Sequence, residues 1–316
     1  MIAWIFPGQG TQKVGMGRAL CSASPAARAV FDAADEALGE AFSQLVFEGP
    51  AEQLTYTANA QPAILTASMA ALAALREAQP ELPVPQVAAG HSLGEYSALV
   101  AADALEFRRA VQLVRLRGEA MQRAVAPGEG AMAAVVGGDA AAVQQLCADV
   151  SAELGDGRVV SPANFNAPGQ VVIAGHAAAV ERASALAKDR KLKAIPLKVS
   201  APFHCSLMAP AAVALERALR EVEFGPLQFA VVSNVEAEPN TEPTRIRELL
   251  VRQVAGAVRW QQTLEWMASH GVHTAWEIGP GQVLAGLAKR TVPRLVVRPA
   301  FEPDEVSAIA ASPRPS

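Results

Sequence analysis

Cysteine is scarce in this 316-residue chain: Cys21, Cys147 and Cys205 are all it contains. Their wide spacings suit neither a disulfide framework nor a zinc site, so a reducing, cytoplasmic compartment is the expectation. Charge is sparse as well. Asp, Glu, Lys and Arg make up 18% of the residues with a net charge of −4, and that balance carries no footprint of nucleic-acid binding. No uninterrupted apolar run reaches the ~18 residues expected of a membrane span. The opening Met1–Phe6 meets Pro7-Gly8 at once and has no basic region before it, so it does not read as a signal peptide. Only five histidines occur, at 91, 176, 204, 270 and 273, which narrows the search for any imidazole base.

What is abundant is apolar residues, 51% of the chain, enough for one large core or two ordinary ones. Ile2 to Phe6 reads as a buried first strand and Pro7-Gly8-Gln9-Gly10 as the loop leaving it, where α/β folds place ligands. Helices are expected over 24–38, 61–77, 93–102 and 107–125, with a strand at 84–89. After Gly128-Glu129-Gly130 the pattern changes to strand 131–136, helix 140–150, strands 158–164 and 170–174, helix 176–189 and strand 193–199. That βαββαβ order is the pattern of a ferredoxin-like unit. Helices at 207–222, 244–255 and 261–270 and strands at 229–233 and 274–278 then resume the larger part. The fold class is α/β. Residues 1–127 and 199–300 are expected to form a large α/β-hydrolase-like domain with a mostly parallel sheet, 128–198 an inserted ferredoxin-like domain, and 301–316 a poorly ordered tail.

Gly90-His91-Ser92-Leu93-Gly94 sits between an apolar strand and a helix-like run, the context of an elbow that thrusts a serine toward solvent. The amide of Leu93, at a helix N-terminus, would point at an oxyanion on a bound acyl group. A serine nucleophile needs a base. His91 is adjacent, so on an elbow its side chain turns away and reads as a packing or loop-fixing residue. His176 opens a helix, and His270 and His273 flank a helix end, where capping suffices. His204, in the turn Ser200-Ala201-Pro202-Phe203-His204-Cys205, suits presentation to a cleft. No acid near either motif stands out, since Glu95 and Asp103 read as exposed surface carboxylates. Spacing does not decide between an acid and a backbone carbonyl as the group that orients the imidazole.

Six stretches, PGQG at 7–10, NAQPA at 59–63, GHSLGE at 90–95, RGEAMQ at 117–122, PFHCSLM at 202–208 and SNVE at 233–236, occur in an order that resembles the malonyl-CoA:acyl carrier protein transacylases of fatty acid and polyketide synthesis. The resemblance runs from Ile5 to Gly281. It implies Ser92 as nucleophile, His204 as base, the Gln9 and Leu93 amides as oxyanion donors, and Gln253 as the residue whose carbonyl orients the histidine. It implies that Arg117 pairs with the malonyl carboxylate and that Gln61, His91 and Phe203 line the substrate pocket, Phe203 as a wall against an α-methyl branch. Malonyl-CoA and holo-acyl carrier protein are the implied partners, with no metal or redox cofactor, no nucleic acid and no membrane; a monomer is expected.

The role of Arg117 has a physical basis too. A planar guanidinium holds a carboxylate by two charge-assisted hydrogen bonds, and left buried and unpaired it disfavours uncharged acyl groups. Arg108, Arg109, Arg115 and Arg123 read as a solvated face. Carrier proteins are acidic, so docking calls for local basicity. Lys289 and Arg290 are the candidates, while Lys188, Arg190, Lys191, Lys193 and Lys198 read equally as a solvated surface. The alternatives are an acyl hydrolase on the same scaffold, a patatin-like serine esterase, and a catalytically dead carrier-binding module.

Overall fold

The computed structural model describes residues 1–312. Strand β1 (Ile2–Phe6) is followed by helices α1 (Arg18–Ala23), α2 (Pro25–Leu38), α3 (Phe42–Glu48), α4 (Ala51–Thr55) and α5 (Thr57–Ala78) before the chain returns in β2 (Val87–Gly90). Helices α6 (Gly94–Ala101) and α7 (Phe107–Arg123) lead into β3 (Gly130–Val136), α8 (Ala140–Leu154), β4 (Val160–Ala167), β5 (Gln170–His176), α9 (Ala177–Asp189) and β6 (Lys193–Pro196). The last third comprises α10 (Ala209–Arg220), β7 (Ala230–Val232), β8 (Pro239–Asn240), α11 (Pro243–Ala255), α12 (Trp260–Ser269), β9 (Thr274–Ile278), α13 (Val283–Thr291), β10 (Val296–Ala300) and α14 (Pro303–Ala310).

Two sheets organise these elements. The larger has the order β10-β9-β1-β2-β7-β8, parallel throughout except for the short β8. Its central strands β1 and β2 are buried along their full length, which is why they read as continuous apolar runs rather than alternating ones. Phe6 pairs with Gly90 at the C-terminal ends of β1 and β2, and β7 pairs alongside β2. Three neighbouring strands thus release their following loops at one edge of the sheet, where α/β proteins gather ligands.

The second sheet has the order β4-β5-β3-β6 and is antiparallel, the ferredoxin-like arrangement expected from the βαββαβ pattern. One face packs Ala133, Val135, Val171 and Ile173 against Val143 and Cys147 of α8 and Val180 of α9. The other face sends Met132, Ala134, Val172 and Ala174 into the main core. A short bridge of Asn164 to Val258 ties β4 to the loop before α12.

Helix α5 is long and apolar enough to cross a membrane by length and composition, but 83% of its apolar window is buried inside the protein. It packs against α2 and α7 as a core helix, matching its expected apolar character on nearly all sides.

The structure departs from the sequence reading at several places. Part of the expected poorly ordered tail is helix α14, whose start is a reciprocal cap between Glu302 and Glu305 and whose Val306 and Ile309 are buried. Apolar anchors three apart and a capping box outweigh its Pro-, Ser- and Ala-rich composition; residues 313–316 of that expected tail lie outside the described residues. Strand β6 ends at Pro196 rather than Val199, because proline breaks the ladder. Strand β2 begins at Val87 rather than Val84, after Pro85. The short α1, α3 and α4 and the pair α13 and β10 carry no pattern long enough to stand out.

Candidate active site

The elbow forms because its glycines leave room for it. A Cβ on Gly90 would lie 1.8 Å from the Gly94 carbonyl carbon, and one on Gly94 would lie 2.2 Å from Phe6 O. Between them Ser92 takes φ 52°, a left-handed conformation that is strained for a residue with a side chain and persists only when its surroundings hold it. Here both of its backbone groups are held. The Ser92 N–H donates to Asn234 Oδ1 at 2.6 Å, and the Ser92 carbonyl accepts from Gln253 Nε2 at 2.9 Å.

Both clamps converge on Glu95. One carboxylate oxygen, Oε2, accepts from the Asn234 N–H at 3.0 Å and from Gln253 Nε2 at 2.8 Å, while Asn234 Nδ2 donates to Gly90 O at 2.7 Å. Glu95 is buried, not an exposed surface carboxylate as its residue type suggested. The first turn of α6 faces the core, and amide donors satisfy the carboxylate there. Burial pushes Glu95 up to about 7, against those donors and the charge of Arg117. Asp103, by contrast, is exposed as expected.

Ser92 Oγ lies 2.7 Å from His204 Nε2, across 112 positions of sequence. The other ring nitrogen, Nδ1, lies 2.9 Å from the Gln253 carbonyl. A carbonyl only accepts, so Nδ1 carries the proton and Nε2 is left as an acceptor for the serine hydroxyl. Burial first, then the charge of Arg117, push His204 down to about 3, against the pull of the Gln253 carbonyl. The imidazole is therefore neutral at pH 7, the form that can take a proton.

Arg117, on the buried face of α7, is 1% exposed. Its Nη1 donates to Gln61 Oε1 at 2.7 Å, and its Nη2 donates to Gln253 Oε1 at 2.9 Å and to Ser92 Oγ at 3.1 Å. The guanidinium also stands 5.6 Å over the ring of Tyr96. No carboxylate lies within ion-pair distance among the described residues, and the acceptors named above are neutral oxygens. Such a site receives an anion at low cost. The other arginines of α7 behave differently: Arg108 and Arg123 form surface ion pairs with Glu36 and Glu119, and the partly buried Arg115 binds Glu40 and Asn59.

Ser92, Arg117 and His204 open into a cleft of about 770 Å³ between the C-terminal edge of the large sheet and the face of the small one that carries Met132 and Val172. Gln9, Gln61, His91, Leu93 and Phe203 line it, opposite Met132, Asn164 and Asn166. Gln9 Nε2 donates to Thr57 Oγ1 at 3.2 Å, pinning the loop after β1. The backbone N–H groups of Gln9 and Leu93 have no protein acceptor among the described residues. His91 Nε2 is 2.9 Å from Asn166 Oδ1 and its ring packs near Trp260; it turns from Ser92 toward the small sheet, as the elbow geometry anticipates.

The remaining histidines do local work. His176 Nδ1 accepts from the Val159 N–H, and His270 caps α12 and stacks on Trp266. Lys289 and Arg290 are exposed in the last turn of α13, where Arg290 donates to Gln170 Oε1 of β5 at 2.6 Å. In the basic stretch near β6, Arg190 is paired with Asp149, whereas Lys198 lies on the cleft wall. The described residues hold no cluster of His, Cys, Asp or Glu suited to a metal ion. Sequence reasoning missed Asn234 and the side-chain role of Gln253. The stretch SNVE was visible, but only the placement of β7 beside β2 reveals what its asparagine holds.

Residues 3–310 match the acyl transferase domain family. The chain is 49% identical over 306 residues to the malonyl CoA-acyl carrier protein transacylase of Bacillus subtilis strain 168, covering 96% of this chain and 95% of the relative. It is 46% identical over 307 residues to the protein of the same name from Escherichia coli K12, covering 97% of each. Among solved structures, an acyl carrier protein S-malonyltransferase from Vibrio cholerae superposes with a TM-score of 0.93 at 45% identity, covering 98% of this chain and 99% of that one. A malonyl-transacylase in complex with its type II polyketide acyl-carrier protein gives a TM-score of 0.92 at 44% identity, covering 98% of each.

Proposed function

The chain belongs to the acyl transferase domain family, and from that premise we infer that it moves a malonyl group from malonyl-CoA to the phosphopantetheine thiol of holo-acyl carrier protein through a serine ester. One observation carries the reading: a single oxygen, Ser92 Oγ, lies 2.7 Å from a neutral histidine nitrogen and 3.1 Å from a buried guanidinium. The first contact supplies a base to a nucleophile; the second supplies a partner for the carboxylate that distinguishes malonyl from acetyl.

In the first half-reaction His204 Nε2 takes the proton of Ser92 as Oγ attacks the thioester carbonyl. The Gln9 and Leu93 amides hold the oxyanion, a contribution whose loss typically costs 10²- to 10³-fold in rate. The sulfur of coenzyme A leaves with the proton from His204. In the second half-reaction the carrier thiol gives its proton to His204 and attacks the ester, and Ser92 recovers its proton. Gln253 O fixes the imidazole tautomer throughout, in the place a carboxylate occupies in Ser-His-Asp sites. Arg117 receives the malonyl carboxylate with Gln61 beside it, and Phe203 walls the pocket.

Several further assignments belong to the same reading. Residues 1–127 and 199–300 act as the catalytic domain and 128–198 as the inserted one that roofs the cleft. Lys289 and Arg290, exposed in the last turn of α13, offer positive charge to an acidic carrier. The protein works in the cytoplasm as a monomer, without a metal or redox cofactor. An acyl hydrolase on this scaffold would have no use for Arg117, and the similar curated proteins carry transacylase names. Incubation with malonyl-CoA and holo-carrier separates the two: malonyl-carrier is expected, and free malonate without malonyl-carrier would overturn the transferase reading.

A further inference from the structure

Arg117 Nη2 places a hydrogen bond on the very oxygen that has to attack, at 3.1 Å. Its other Nη2 hydrogen serves Gln253 Oε1 at 2.9 Å and Nη1 serves Gln61 Oε1 at 2.7 Å. While that contact stands, a cationic donor occupies electron density that Ser92 Oγ must give to the thioester carbonyl. A carboxylate that grips the guanidinium takes hydrogens from two nitrogens at once. The hydrogen most readily surrendered is the one on Ser92, the longest of the three contacts.

We propose that Arg117 is a latch on the nucleophile as well as a clamp on the substrate: its hydrogen bond restrains Ser92 Oγ until an acyl group bearing a carboxylate draws the guanidinium off the serine. The inference rests on the transferase reading above. Uncharged acyl groups leave the latch closed, so discrimination against them acts on the chemical step and not on binding alone.

Charge works in the same direction. The buried Arg117 cation is one of the causes that hold His204 low, behind burial itself. A carboxylate placed on Arg117 cancels that cation and makes His204 a stronger base. The other titratable groups facing the pair are His91, itself held low by burial, and Glu95 and Tyr96 of α6, which face Arg117.

A neutral fluorophosphonate tests the latch because it has no carboxylate for Arg117 to bind. Ser92 Oγ forms the bond to phosphorus, fluoride leaves, and His204 receives the proton. The rate of labelling would be followed against pH in the wild type and in Arg117→Met. The variant is expected to label Ser92 on the order of tenfold faster, with its apparent pKa raised. Equal or slower labelling overturns the latch, whatever the pKa. Failure of the wild type to label at Ser92 overturns the nucleophile assignment instead. Should the variant not fold, single-turnover acylation of the wild type at saturating malonyl-CoA and acetyl-CoA gives the same decision. The apparent pKa with malonyl-CoA is expected about one unit above that with acetyl-CoA, and identical values overturn the proposal.

Discussion

His204 Nδ1 is bound by the backbone carbonyl of Gln253, at 2.9 Å, in a site where an acid would ordinarily be sought. The same residue reaches Arg117 through Oε1 and the Ser92 carbonyl through Nε2. One residue therefore contacts His204, Ser92 and Arg117 together, the first through its main chain and the other two through its side chain.

That division of labour predicts the effect of Gln253→Glu. The carbonyl to His204 survives, but a carboxylate now sits on Arg117 and takes the place of the substrate's. Malonyl transfer is expected to fall at least about tenfold more than acetyl transfer. Competition kinetics with the two donors measures the ratio, and an unchanged malonyl preference contradicts the role given to the side chain.

Asn234→Ala removes the acceptor of the Ser92 N–H and the donor to Gly90 O. The buried groups left unpaired should cost about 1–3 kcal/mol of folding stability, read from the denaturant midpoint. Because Ser92 is held at positive φ by that contact, acylation by malonyl-CoA should slow as well. A variant with normal stability and normal acylation would show that the elbow holds itself.

The pH dependence of stability can be read at Glu277, which accepts the N–H groups of Leu284 and Ala285 at the start of α13. Burial pushes it up to about 7 from an ordinary 4.5, against those donors. Between these values the native state keeps a proton that the unfolded state has released, so this group's contribution falls as pH rises from 4.5 to 7 and levels off above. Glu277→Gln removes the titration. Its stability relative to wild type should improve across that window and stay constant beyond it; a pH-independent difference refutes the assignment.

Phe203→Ser opens the wall next to His204, where an α-methyl branch has to fit. The ratio of kcat/KM for methylmalonyl-CoA to that for malonyl-CoA is expected to rise by about 10-fold or more, the usual worth of one methyl-sized space in a pocket. No change in the ratio would return Phe203 to simple core packing.

The long elements and the order of the inserted unit were legible because periodicity is a local signal. Ser92 and His204 were legible for a related reason, as strand-turn-helix and strand-turn contexts declare themselves in a few residues. Glu95 was misjudged because composition does not tell which face of a short helix meets the core. The clamp by Asn234 was invisible because it depends on β7 lying beside β2, a pairing across 142 positions. Helix α14 hid behind a Pro- and Ala-rich composition that its caps and two buried side chains overrode.

The central claim is a malonyl ester on one oxygen, and intact-protein mass spectrometry after mixing with malonyl-CoA tests it most directly. The account expects a single malonyl adduct, localised to the Ser92 peptide, absent from Ser92→Ala and discharged on adding holo-acyl carrier protein. An adduct that persists in Ser92→Ala, or malonyl-carrier formed by that variant at the wild-type rate, would contradict it.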